Sequence, residues 1–174
     1  MANNKNPWIK YVVFLAIAIV LLVISHLKNN QFKQKRSKVL DFNKNDVTEI
    51  SIYSSSDTVS FKQLNDSTWS PVEPDTGDIA ERNVNRLLSS LTELEQTGTA
   101  TENPDNFSTY SISDSIATRV DLKKGANTLA SFYIASSRSS YKRGYLRFSD
   151  KNKVYRVSQN LTRLAQARPD YWQE

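Results

Sequence analysis

The chain contains no cysteine and a single histidine, His26, among its 174 residues. Without cysteine it can form no disulfide, thiolate nucleophile or zinc–thiolate site. Because His26 lies beside the apolar N-terminal segment, residues 39–174 hold no imidazole, which excludes a Ser-His-Asp hydrolase there. Glycine is also scarce, with four residues, so we expect no phosphate-binding glycine loop.

Two short patterns resemble catalytic or metal sites but have simpler explanations. Ser139 and Lys142 have the S-x-x-K spacing of penicillin-binding enzymes, yet they lie between two strand-like runs instead of at the start of a helix. Asp75, Asp78 and Glu81 are close in sequence, but helix capping accounts for the last two, and DTGD lacks the spacing of a calcium loop. We therefore expect no enzyme, no cofactor and no metal site.

The net charge of +5 is distributed unevenly along the chain. Residues 1–38 hold seven Lys/Arg and no acid, whereas residues 39–174 hold sixteen bases and eighteen acids, a net charge of −2. Within that body, residues 39–118 carry four bases and fourteen acids, and residues 119–168 carry twelve bases and two acids. The basic excess belongs to the N-terminal flank, which argues against nucleic-acid binding by the body.

Residues 8–27, WIKYVVFLAIAIVLLVISHL, form an apolar run interrupted only by Lys10, Ser25 and His26. A helix of about 20 residues rises about 30 Å, the thickness of the hydrocarbon core of a bilayer. The run therefore predicts an N-terminal transmembrane helix, with the lipid bilayer as its partner. A cleaved signal peptide and a buried core helix are the alternatives, but the run is long for the first and too uniformly apolar for the second.

The predicted helix implies a layout of four parts: a tail over 1–7, the transmembrane helix over 8–27, a basic juxtamembrane linker over 28–44 and a soluble α+β domain over 45–174. Two lysines precede the helix and five bases follow it before residue 39, so a positive-inside count places the body in the cytoplasm. Long domains often cross a membrane regardless of flanking charge. The count is therefore weak evidence for the side of the membrane on which the body lies.

Two segments alternate apolar and polar residues with the period of a strand. In DVTEISIYSS, Ile50 and Ile52 share the face opposite Ser51, and DTVSFKQL repeats the alternation. The intervening SSSD favours a hairpin turn. STWSPV predicts a third strand that Pro71 and Pro74 end, since proline cannot donate a hydrogen bond to a sheet.

An amphipathic helix follows, with Asp78 and Glu81 fitting a capping box and Gly98 as the predicted stop. Its apolar stripe comprises Val84, Leu87, Leu88, Leu91 and Leu94. We expect this stripe to cover the sheet and Trp69 to fill the seam between them. A platform for a ligand is the alternative role of Trp69.

Four further alternating stretches, IATRVDL, TLASFYIA, GYLRFSD and KVYRVS, follow a loop over NPDNFSTYSISD. KKGAN and SDKNK supply hairpin turns, and NLTRLAQA predicts a short helix capped by Asn160. The predicted fold class is therefore α+β. It consists of one transmembrane helix and a mainly antiparallel sheet packed by one amphipathic helix and a short C-terminal helix.

Five short motifs are distributed over residues 45–174. They are WSPVEP, which begins at Trp69 and precedes the capped helix, YSI at Tyr110, YLR at Tyr145, VYRV at Val154 and RPDYW at Arg168. Together they resemble the bacterial family called domain of unknown function 4340. Ser111 stands where that family tends to have glycine. The resemblance implies an extracytoplasmic C-terminal domain tethered to the bacterial inner membrane, although the positive-inside count favours the cytoplasm. Some relatives of the family accompany ABC-type transport or gliding-motility components. It implies no catalytic residues.

Residues 138–156 mix basic and aromatic side chains, as is typical of surfaces that bind anionic partners or proteins. The alternation in YLRF sets Tyr145 and Arg147 on the face opposite Leu146, so one face can be buried while the other recruits a partner. The alternative is a solvated sheet face that attracts the acidic first half of the same domain. The candidate interaction patch comprises Arg138, Lys142, Arg143, Tyr145, Arg147, Lys151, Lys153 and Arg156.

These observations favour a non-enzymatic, membrane-anchored accessory or scaffold protein. Its extracytoplasmic domain would contact other membrane or envelope proteins of a bacterial complex, and we expect no nucleic acid among the partners. The alternative is a binding module for a small anionic ligand or glycan, which needs a concavity lined by aromatic and basic side chains. The residues predicted to be structural are Trp69, Leu87, Leu88 and Leu91.

Overall fold

The computed structural model describes residues 7–32, 36–65, 68–73 and 77–173. The chain divides into two compact units, Met1–Lys35 and Arg36–Glu174. Most of the predicted tail, positions 33–35 of the predicted linker, and Pro74 and Asp75 lie outside the described residues. Other parts of that linker, which was placed over 28–44, belong to the last turn of a helix and to a short strand.

The first unit contains α1, Pro7–Phe32, with exposed apolar side chains such as Tyr11 and Phe14. In the part of the chain that the structure describes, no helix combines the length and the apolar character that a membrane crossing requires. The transmembrane helix predicted over 8–27 is therefore not supported, and the fold-class prediction is wrong in this part.

Among the described residues of the second unit, nine strands form one sheet in the order β1-β5-β9-β8-β7-β6-β2-β3-β4. All neighbouring strands are antiparallel. The strands are β1 Ser37–Lys38, β2 Glu49–Tyr53, β3 Thr58–Gln63, β4 Trp69–Glu73, β5 Glu95–Thr101, β6 Thr118–Lys124, β7 Asn127–Ser137, β8 Ser140–Phe148 and β9 Val154–Val157. Alternation puts Ile50 and Ile52 on one face of β2 and Ser51 on the other, and all three are buried.

Helix α2, Glu81–Thr92, covers the face of the sheet that carries Ile50 and Ile52, which we call the first face. Val84, Leu87, Leu88 and Leu91 of the helix are buried in the same core cluster as the inward side chains of β2 and β3. Trp69 belongs to this cluster and is 6% exposed. The apolar stripe thus packs as helical periodicity requires.

The start of α2 differs from the predicted capping box. Ala80 precedes the helix and makes no side-chain capping bond. Its backbone N–H instead donates to the carbonyl oxygen of Trp172 at 2.7 Å. The capping-box prediction for Asp78 and Glu81 is wrong, because the C-terminal segment satisfies this end of the helix.

Two strand boundaries also differ from the sequence-based prediction. Pro71 lies inside β4, where it pairs with Phe61 instead of ending the strand. Proline is tolerated there because β4 is the last strand of the sheet. Gly98, the predicted helix stop, lies inside β5, which the sequence did not reveal because EQTGTAT contains a single apolar residue.

The C-terminal helix predicted over NLTRLAQA is instead one 3₁₀ turn, Leu161–Arg163, and a second 3₁₀ turn, Pro169–Tyr171, follows it. Asn160 caps the first, its side chain accepting from the N–H of Thr162 at 3.1 Å. Trp172, after the second turn, is fully buried, and its ring centroid lies 4.8 Å from that of Phe61. Its indole N–H donates to the carbonyl of Gln166 at 2.6 Å, so the buried polar atom is satisfied.

Residues 102–117 cover part of the second face of the sheet. Ile112 from this segment is fully buried in a smaller cluster with Tyr133, Ala135 and Val154. At the turn beside it Ser111 has a φ of 54°, the only positive φ of a non-glycine residue in the described parts of the chain. Ser111 therefore occupies the left-handed region, where a glycine has no steric cost.

Replacing Ser111 by glycine is expected to raise the free energy of unfolding by about 0.5–1 kcal/mol, because it removes the steric cost of the left-handed conformation. Urea unfolding followed by circular dichroism measures the change. Ser108→Gly, in the same loop but without a positive φ, is the control and is expected to lower stability by a similar amount. Equal destabilisation by the two variants would show that Ser111 carries no strain.

Candidate functional site

The eight residues of the predicted interaction patch do not form one surface. Arg138, Lys142 and Arg143 lie in and beside the turn between β7 and β8, whereas Lys151 and Lys153 lie in the connection between β8 and β9. Lys142 and Arg143 belong to the first half of β8, and its last five residues, about 17 Å of strand, separate them from the second group. Proximity in sequence therefore overestimated their proximity in space.

Arg147, near the end of β8, is buried beneath residues 102–117 and is 4% exposed. Its guanidinium carbon lies 4.5 Å from the ring centroid of Phe107 and 4.4 Å from that of Tyr133. The same group forms an ion pair with Asp114 and donates to the carbonyl of Ile112 at 3.5 Å. The sequence placed Arg147 on the recruiting face, but this side chain holds the covering segment to the sheet and is not available to a partner.

Several bases of residues 119–168 are matched by acids of residues 39–118, as the alternative interpretation of the charge pattern proposed. Lys153 illustrates the effect, because its ammonium donates to the carboxylate of Glu102 at 2.8 Å and this hydrogen bond raises its pKa. The pKa of Lys123 is raised in the same way by Glu49. Ion pairs joining the two halves are Lys123–Glu49, Lys124–Asp46, Arg147–Asp114 and Lys153–Glu102.

Four exposed bases remain at the turn between β7 and β8. The hairpin basic surface, as we call it, comprises Arg138, Lys142, Arg143 and Arg156. Arg156 of β9 is the cross-strand partner of Tyr145 of β8. Tyr145 is partly buried and packs edge-on against Tyr110 with ring centroids 5.1 Å apart. Lys151 is exposed too, but it lies beyond the other end of β8, over the ring of Phe148.

A cleft of about 80 Å³ opens within the hairpin basic surface and is lined by Thr97, Ser137, Ser139, Arg143, Gly144, Tyr145 and Arg156. The hydroxyl of Ser139 hydrogen-bonds to that of Ser137 at 3.0 Å. Lys142, three residues later, lies over the ring of Tyr141 at 6.0 Å. Ser139 and Lys142 make no hydrogen bond with each other in the described structure, so the S-x-x-K spacing does not assemble a serine–lysine pair.

A larger cavity, of about 480 Å³, lies on the opposite side of the sheet between α2, β3, β4 and the 3₁₀ turn Lys44–Asp46. Its lining comprises Lys44, Asn45, Gln63, Trp69, Glu81, Asn85 and Leu88. Of these residues, sequence reasoning singled out Trp69 and Leu88 as structural and Glu81 as a capping residue. Glu81, Asn85 and Leu88 are linked by helical spacing on α2, but no spacing in the sequence links them to Lys44, Asn45, Gln63 or Trp69.

The position of Trp69 bears on both roles considered for it, although only the structural one is observed. It is a member of the core cluster, and it also borders the cavity. Within the described ranges, no three His, Cys, Asp or Glu side chains come close enough to hold a metal ion.

The fold defined by these observations is an antiparallel sheet covered on one face by an amphipathic helix and partly covered on the other by a long loop. The model of the family Domain of unknown function (DUF4340) matches residues 69–174. The chain belongs to this family, which confirms the resemblance predicted from its motifs. Comparisons with curated proteins and with solved structures gave no significant match.

Arg147→Ala is expected to lower the free energy of unfolding by about 2–4 kcal/mol, because it empties the space between two rings and releases the covering segment. Arg156→Ala, on the same face but exposed, is expected to change it by less than about 0.5 kcal/mol. Urea unfolding of both variants gives the comparison. Similar stabilities would mean that Arg147 does not hold the covering segment in place.

Proposed function

We propose that this protein is a non-enzymatic accessory protein whose second unit binds a partner protein through the hairpin basic surface. The observation that carries the proposal is unmatched positive charge. Arg143 and Arg156 form no ion pair with any described residue, although Lys123, Lys124 and Lys153 of the same domain each do. A partner with an acidic surface would supply the missing counter-charges.

The remaining members of the surface are also free to bind. Arg138 donates only to the hydroxyl of Ser111, at 3.4 Å. Lys142 lies over the ring of Tyr141, which leaves its charge uncompensated, and Tyr141 itself is 68% exposed. Exposed arginine and tyrosine together are typical of the centres of protein interfaces.

The size of the cleft favours a carboxylate side chain of a protein over a free ligand. Its volume of about 80 Å³ is well below the roughly 300–1,000 Å³ of small-molecule pockets. Arg143 and Arg156 both border it, and a guanidinium binds a carboxylate through two parallel hydrogen bonds. The alternative of a small anionic ligand is therefore less favoured at this position.

Two expectations about the setting complete the proposal. A nucleic-acid partner is disfavoured because residues 39–174 carry a net charge of −2. The predicted location in a bacterial envelope complex, with the C-terminal domain extracytoplasmic, follows from the family resemblance. Reporter fusions placed after Glu174, active on only one side of the membrane, test it.

The charge-reversal variant Arg143→Glu with Arg156→Glu is expected to reduce partner recovery at least about tenfold, because it places like charges against an acidic surface. The full chain is expressed in its native bacterium, cross-linked and affinity-purified, and co-purifying proteins are quantified by mass spectrometry. A photo-cross-linking residue at Tyr141 identifies the neighbour directly.

Arg82→Glu with Arg86→Glu is the matched control. Both residues are exposed on α2, and the double change alters the net charge equally. The control is expected to recover the partner as the unmodified chain does. Loss of the partner in both variants would indicate a general charge effect, and retention in both would exclude the hairpin basic surface as the docking site.

A further inference from the structure

The cavity beside Trp69 has the dimensions of a ligand site. Its volume of about 480 Å³ lies within the usual range for small-molecule pockets. Helix α2 contributes Glu81 and Asn85, β3 contributes Gln63, and the 3₁₀ turn contributes Lys44 and Asn45. Side chains from three separate elements therefore converge on one concave surface above the indole of β4.

The polar side chains around this cavity are not used by the fold. Lys44, Asn45, Gln63, Glu81 and Asn85 make no side-chain hydrogen bond or ion pair with any described residue. Neighbouring residues of the same types do: the amide of Asn83 donates to the carbonyl of Tyr171 at 2.8 Å. Asp46, next to Asn45, forms an ion pair with Lys124. The unpaired groups thus coincide with the cavity.

The chemistry of the lining indicates the class of ligand. Each of the three amides presents both a hydrogen-bond donor and an acceptor, which matches hydroxyl groups that also do both. The charge of Lys44 is offset by that of Glu81, so the lining attracts neither anions nor cations strongly. Trp69 and Leu88 are 6% and 3% exposed, so they add only a narrow apolar strip to the lining and leave the ligand contacts to the polar side chains.

We propose that the cavity formed by Lys44, Asn45, Gln63, Trp69, Glu81 and Asn85 binds a short neutral saccharide. A free oligosaccharide and the end of a polysaccharide chain share this chemistry. The site lies on the α2 face of the sheet, away from the hairpin basic surface. The saccharide proposal does not depend on the proposed protein docking, because different residues form the two sites.

Saturation-transfer NMR on the full chain tests the proposal with cellobiose, maltotriose and the N-acetylglucosamine dimer, each at up to about 10 mM. A sugar-free detergent is used, because α1 exposes apolar side chains. At least one probe is expected to bind. A soluble polymer of the same sugar, run in parallel, shows whether the site takes internal units or only chain ends.

Asn85→Ala and Gln63→Ala are each expected to weaken binding at least about tenfold, because each leaves ligand hydroxyls without partners. Asn152→Ala, an exposed amide in the connection between β8 and β9, is the control and is expected to leave binding unchanged. Circular dichroism verifies that all three variants fold. Asn85 is exposed and unpaired, so its loss does not threaten the fold.

Three results would overturn the proposal. The first is the absence of binding by every neutral probe. The second is binding that the Asn85 and Gln63 variants do not weaken. The third is binding restricted to acidic sugars and abolished by Lys44→Gln, which would identify an anion site.

Discussion

The burial of Trp172 is the interaction on which the arrangement of the domain depends. Its ring packs against Phe61 of β3, and its carbonyl accepts the N–H of Ala80 at the start of α2. One residue near the C-terminus therefore fixes where the helix begins over the sheet. Truncating a buried tryptophan costs about 3–5 kcal/mol, a large part of the stability of an ordinary domain. Because Glu81 and Asn85 follow Ala80 on α2, the walls of the cavity depend on this contact.

On the second face, Arg147 has the corresponding role. A desolvated guanidinium is costly unless its charge and its planar surfaces are both satisfied. Asp114 supplies the counter-charge, and Phe107 and Tyr133 supply aromatic faces. The covering segment thus removes Arg147 from the bases that a partner could contact, and its Glu102 pairs with Lys153.

The parts of the fold that could be predicted are those governed by short-range periodicity. Period-two alternation located β2, β3 and the later hairpins, and steps of three and four located the buried face of α2. β5 was missed because it is almost entirely polar and is held by pairing with β9. The capping-box prediction was wrong because the carbonyl oxygen of Trp172, far away in the sequence, accepts the backbone N–H of Ala80 at the start of the helix. The site was harder still, since burial of Arg147 and convergence on the cavity are properties of tertiary structure.

The two proposed surfaces lie on opposite faces of one sheet, and this separation has a consequence for how they can work together. Tyr145 belongs to the second core cluster, whereas Trp69 and Leu88 belong to the first. A partner on one face does not sterically exclude a ligand on the other. Coupling between them would require an element with two alternative arrangements that both ligands bias. The sheet between them is one continuous antiparallel ladder, which resists such rearrangement. The geometry therefore favours simultaneous and independent occupation, with the saccharide on one face of the sheet and the protein partner on the other.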